Sequence, residues 1–76
     1  MHTGTIVSKR EGYGFIKVDG APEGSKDLFF HANELKGVSF DELVAEDAAT
    51  GVKGNRVSFE IGQSPKGPNA TGVSKI

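Results

Sequence analysis

Tyr13-Gly14-Phe15-Ile16-Lys17-Val18, read with Asp27-Leu28-Phe29-Phe30-His31, is the stretch on which the fold turns. Successive side chains of a β-strand point to opposite faces. The first segment then carries Tyr13, Phe15 and Lys17 on one side and Gly14, Ile16 and Val18 on the other. The second puts Leu28 and Phe30 on one side, Phe29 and His31 on the other. If Ile16, Val18, Leu28 and Phe30 fill a core, the pleat turns four flat rings (Tyr13, Phe15, Phe29 and His31) toward water. The inverse phase would expose Gly14 and Ile16 and leave a poorer core.

Working outward, Gly4-Thr5-Ile6-Val7-Ser8-Lys9 is rich in β-branched residues and predicts a first strand. Glu11-Gly12 is a short turn, so the first two strands form a hairpin. Residues 19–26 are a polar Gly/Pro loop. Ala32 to Leu35 is long enough for one helical turn. Phe40 to Asp47 reads as a short helix or a solvated acidic loop, and Asp47 to Gly54 as an exposed, mobile excursion. Arg56 to Ile61 alternates again, with Val57, Phe59 and Ile61 inward. Gly62 to Pro68 is a turn, and Ala70 to Ile76 a fifth, edge-like strand. Five short strands predict an all-β, five-stranded antiparallel barrel, closed or nearly so, because closure removes exposed sheet edges.

The chain of 76 residues is a single domain, too small for a cleft between two lobes. Val, Ile, Leu and Phe make up a quarter of it, enough for a thin core. Eleven glycines point to many tight turns. The lack of cysteine excludes disulfides and thiolate metal sites and is compatible with a reducing compartment. Met1-His2-Thr3-Gly4 opens no apolar run that would read as a secretory signal, and no stretch is long enough to span a membrane. A cytoplasmic monomer is expected. The net charge of −1 is unevenly spread. Acid concentrates in residues 34–50, while residues 51–76 are basic on balance.

A cluster of exposed rings marks an interaction surface. A ring stacks on an unpaired base with about 1–3 kcal/mol and little regard to sequence. Lys17 at the margin of the rings can hold a phosphate. Stacking of this kind needs bases outside a duplex, so the expected partner is single-stranded RNA or DNA.

These residues also resemble a known family. Gly12-Tyr13-Gly14-Phe15-Ile16 is similar to the first ribonucleoprotein motif of the cold-shock domain, and Asp27-Leu28-Phe29-Phe30-His31 to the second. Gly37-Val38-Ser39-Phe40-Asp41-Glu42-Leu43 resembles the family's Gly-x-x-Phe-x-x-Leu segment. Gly54-Asn55-Arg56-Val57-Ser58-Phe59 with Lys66-Gly67-Pro68-Asn69-Ala70 resembles its last two strands and their Gly-Pro turn. The resemblance implies an OB-type barrel that binds single-stranded nucleic acid, with roles as RNA chaperone or regulator of transcription and translation. It implies base stacking by Tyr13, Phe15, Phe29, His31 and Phe40. Lys66 and Pro68 would form the last binding loop, and Asp27 would hydrogen-bond a base.

The chain departs from that pattern in its first strand, where the family's Trp and Phe are missing from Val7-Ser8-Lys9-Arg10. The loops at 19–26 and 44–53 are longer. Two lost stacks would remove about 2–6 kcal/mol unless compensated. Lys9, Arg10 and Arg56 are the basic residues that could shift reliance onto phosphates. The rings could instead dock a peptide or partner protein on a small β-barrel interaction module. No membrane partner or small-molecule substrate is expected. The two histidines, His2 and His31, lack a paired metal spacing, so neither metal nor cofactor is expected. No nucleophile or oxyanion loop accompanies His31, which speaks against catalysis.

Overall fold

The computed structural model describes residues 1–22, 24, 26–47, 49–65 and 67–76. Five strands follow one another: β1 (His2–Arg10), β2 (Tyr13–Val18), β3 (Leu28–His31), β4 (Arg56–Ser64) and β5 (Gly67–Lys75). They close into a barrel in the order β1-β2-β3-β5-β4. The hairpin between β1 and β2 forms as the sequence predicts, with Gly12 at φ 80° in its turn, where a Cβ would be strained.

The expectation of an antiparallel sheet is corrected at one seam. β3 and β5 pair in parallel, while the remaining neighbours are antiparallel. The reason is parity: a ring with an odd number of strands cannot alternate direction all the way round. β5 is therefore not an edge. It lies between β3 and β4 and begins at Gly67, earlier than expected.

Ile6, Ile16, Phe30, Val57, Phe59, Ala70 and Val73 are almost wholly buried, with Leu28 and Leu43 beside them. Val18 packs against this core from its rim. Burying one such side chain contributes about 1.5–3 kcal/mol. Gly14 belongs to this interior: a Cβ there would lie 2.7 Å from the Ser8 carbonyl oxygen and 2.8 Å from the Phe30 ring. Its missing side chain lets Phe30 fill the centre.

Ile61 stands opposite Ala70 and so has the inward phase, yet it is 42% exposed. β1 reaches only His2, opposite Phe59. Past that point β4 runs beyond the rim, and nothing from β1 covers it.

Leu35, Val38, Phe40, Leu43 and Ala45, from the segment after β3, pack onto the core at one mouth of the barrel. Single 3-10 turns occupy Ala32–Glu34 and Phe40–Glu42, so the acidic segment forms one turn followed by loop rather than a longer helix. Leu43 plugs the core. Asn55 pins the segment by accepting from the Val44 N–H at 2.6 Å through Oδ1. In the excursion, Asp47 and residues 49–53 are exposed, and mutual backbone bonds join Asp47 and Val52 at 3.0 and 3.1 Å. No helix among the described residues is long and apolar enough to cross a membrane.

Candidate nucleic-acid interface

Strand register places the candidate residues in rows across the outer face. Phe15 stands opposite Phe29, and Tyr13 opposite His31. Ser8 extends the first row on β1, and Asn69 extends it on β5. Arg10 extends the second row beside Tyr13. Cross-strand partners share a face, so these side chains emerge together.

Tyr13, Phe15 and Phe29 form a mutual cluster. Their ring centroids are 6.1 Å apart for Tyr13–Phe15, 5.6 Å for Tyr13–Phe29 and 5.9 Å for Phe15–Phe29. Tyr13 and Phe29 are 37% and 36% exposed, and Phe15 is half-buried between them and the strand. Edge-on and tilted contacts of this kind add about 0.5–1.5 kcal/mol per pair and hold each ring in place. The cluster is thus a preformed apolar surface on a barrel whose core is filled by other residues.

His31 is exposed beside Tyr13 and also shapes the chain. Its Nδ1 accepts from the Asn33 N–H at 3.1 Å, capping the Ala32–Glu34 turn. This acceptor assigns the proton of the neutral ring to Nε2. Asp27 is exposed at the foot of β3 and lines a hollow with Phe15, Arg10, Ser8 and Lys26. Lys17 is exposed on β2, two residues beyond Phe15 on the same face. Pro68 is exposed on the β4–β5 hairpin, on the opposite face from Asn69. Lys66 lies outside the described residues.

Three candidates are engaged elsewhere. Lys9 faces inward, because β1 bulges between Ile6 and Ser8 and shifts its phase by one residue. Its Nζ donates to the Leu43 carbonyl at 2.7 Å and stands 4.7 Å from the Phe40 ring centroid. Phe40 in turn packs 6.2 Å from Phe30 and is half-buried against the core. Among the described residues its ring meets none of the three clustered rings. Arg56 grips Asp19 with two nitrogens, Nη1 to Oδ1 at 2.7 Å and Nη2 to Oδ2. Thr3 Oγ1 adds a bond to the same carboxylate at 2.8 Å. The Arg56 and Thr3 bonds hold the Asp19 carboxyl down at about 2, and Asp19 raises the Arg56 guanidinium in return. Arg56 thus fastens β4 to the end of β2.

Ser8, Lys26 and Asn69 flank the rings but do not stand out in the sequence. The bulge hides the phase of Ser8, and Asn69 reaches Phe29 only through the parallel seam. Lys26 had a signal, since it immediately precedes Asp27. Among the described residues no group of three or more acidic, His or Cys side chains is arranged to hold a metal.

Comparison with known proteins adds an independent line. The model of the family described as 'Cold-shock' DNA-binding domain matches residues 2–76. Probable cold shock protein A of Mycolicibacterium smegmatis is 43% identical, with 100% of both chains covered. Cold shock protein CspB of Geobacillus stearothermophilus is 38% identical over 91% of this chain and 86% of the relative. The solved structure titled drosophila Unr CSD456 shares the fold with a TM-score of 0.64 at 24% identity, covering 99% of this chain and 26% of that one. A family match over nearly the whole chain, relatives aligned end to end and the same barrel in a solved structure agree: the chain belongs to the cold-shock domain family, whose members bind nucleic acid.

Proposed function

We infer that the protein binds single-stranded RNA or DNA by stacking unpaired bases on Tyr13, Phe15 and Phe29, with His31 at the margin. The observation that carries this reading is the three-ring cluster, which is exposed although the core is complete without it. Each stack contributes about 1–3 kcal/mol, roughly 5- to 150-fold in Kd. Arg10 and Lys17 neutralise phosphates at the edges of the rings. Asp27, beside Phe15, accepts a hydrogen bond from a base amino group.

The action is passive. A protein that binds the unpaired form of an RNA and not the paired form shifts the pairing equilibrium toward the open strand. This is how an RNA chaperone, or a regulator of transcription or translation, works without chemistry. The protein acts as a monomer and in the cytoplasm, where transcripts are met.

The test is fluorescence anisotropy with labelled oligothymidine and a matched duplex at two salt concentrations. Tyr13 is the single tyrosine in a chain without tryptophan, so its emission reports on the site directly. Preference for the single strand, affinity falling with salt and quenching of Tyr13 are expected. Salt-indifferent capture of a peptide with no oligonucleotide binding would replace this reading with protein docking.

A further inference from the structure

Three surface hollows run into one another and lead away from the rings. The first lies beside Phe15 and is lined by Arg10, Lys26 and Asp27. It shares Lys26 and Asp27 with a second, which reaches Lys17. The second shares Lys17, Val18 and Ala21 with a third, of about 510 Å³, which extends past Thr5 to Lys53 and Arg56. Register explains the continuity. Thr5 is the cross-strand partner of both Lys17 and Arg56, so these three side chains form one outward row. Lys17 follows Phe15 by one pleat, about 7 Å along the strand.

The lining is electrostatically lopsided. Asp19 is taken up by Arg56. Among the described lining residues, Arg10, Lys26, Lys17 and Lys53 are then set against Asp27 and Glu46. Among the described residues the ion pairs are Met1–Glu60 and Arg56–Asp19, and neither uses these four cations. From the loop that follows β2, Ala21, Pro22, Gly24 and Lys26 line the middle of the groove. The first strand lacks two of the family's stacking residues.

The geometry points to a second, electrostatic segment of the nucleic-acid path, a groove from Phe15 past Lys26 and Lys17 to Lys53 that holds the sugar–phosphate backbone of a single strand after it leaves the rings. It rests on the reading of the rings as a base platform. It trades stacking that β1 cannot supply for counterion release along a lysine-lined track. Its footprint is longer, and its salt dependence steeper, than the ring cluster alone would give.

Oligothymidines of about four and about twelve nucleotides separate the two segments. Their Kd values are measured across a salt series with the wild type, Lys53→Gln at the far end of the groove, and Lys36→Gln. Lys36 lines none of the three hollows and serves as the charge control. Each lost phosphate contact lowers the slope of log K against log salt by about 0.7 for a single strand, so Lys53→Gln should flatten the long oligomer's slope by about that amount. The short oligomer should bind wild type and Lys53→Gln alike, and Lys36→Gln should match wild type. An unchanged slope for the long oligomer overturns the track. So does an equal loss with both lengths, or a loss as large in Lys36→Gln. If the short oligomer fails to bind wild type and Phe29→Ala changes nothing, the ring platform itself fails and takes the track with it. Unchanged thermal midpoints verify that the variants fold, as exposed substitutions should.

Discussion

Lys9 and Phe40 hold each other at the mouth of the barrel: the ammonium stands 4.7 Å from the ring centroid and donates to the Leu43 carbonyl at 2.7 Å. The contact joins β1 to the segment that seals the core. A buried-stem lysine of this kind works by packing as much as by charge. Lys9→Met keeps the stem and removes the head. It should cost about 1–2 kcal/mol, from one cation–π contact and one charged hydrogen bond. Urea unfolding checks this, with oligothymidine affinity changing less than for Arg10→Met.

Phe29 and Phe59 should separate binding from folding. Phe59→Ala empties the core and should cost about 3–5 kcal/mol, enough to unfold much of so small a domain. Phe29→Ala removes a partly exposed ring and its two ring contacts, and should cost about 1–3 kcal/mol, less than Phe59→Ala. Its oligothymidine affinity should fall roughly 5- to 150-fold, the worth of one stack. Phe15→Ala should behave likewise. Circular dichroism melts alongside anisotropy titrations decide the matter.

Gly14→Ala should destabilise without touching the outer face. Its Cβ would meet Phe30 at 2.8 Å and the Ser8 carbonyl at 2.7 Å, both too close to accommodate without a shift. Overpacking of this kind costs about 1–3 kcal/mol. In a domain of this size that lowers the melting temperature by roughly 4–8 °C per kcal/mol. A melting temperature equal to that of wild type would show that Phe30 does not occupy the space beneath Gly14.

The Asp19 carboxyl should shape the acid limb of stability. Its folded value is lowered to about 2 from the ordinary 3.8, first by Arg56 and then by Thr3. The contribution is fully present above the unfolded value and is lost as pH falls through the folded one. Asp19→Asn should therefore flatten the stability curve between about pH 4 and about pH 2, and lower it slightly at neutral pH. The pair is exposed, so the effect is small. Urea midpoints across that range, compared with Arg56→Gln, provide the measurement.

Much of this was legible in the chain. β2 runs from Tyr13 to Val18, the residues its alternation marks, because its faces differ so sharply in character. What eluded the sequence was nonlocal. The bulge between Ile6 and Ser8 reverses the phase of Lys9, and nothing local in Val7-Ser8-Lys9 announces it. Ile61 keeps its inward phase but loses its cover because a different strand ends early. Arg56 is a solvated cation in the sequence and a clamp in the fold, since Asp19 reaches it only after closure. The parallel seam could have been deduced from strand number alone.

That seam has a kinetic and mechanical side. Among the described residues β3 meets β5 through the single partner pair Phe29 and Asn69, while β4 and β5 share a long ladder. Phe29 and Asn69 lie 40 residues apart, so their docking carries a far larger loop-closure entropy than the β1–β2 and β4–β5 hairpins and should follow them in folding. Once formed, it is the stave most easily sprung. Amides along β3 should exchange with solvent sooner than those of the β4–β5 ribbon. The strand carrying Phe29 would then flex against its neighbour, letting one platform adjust to bases of different size.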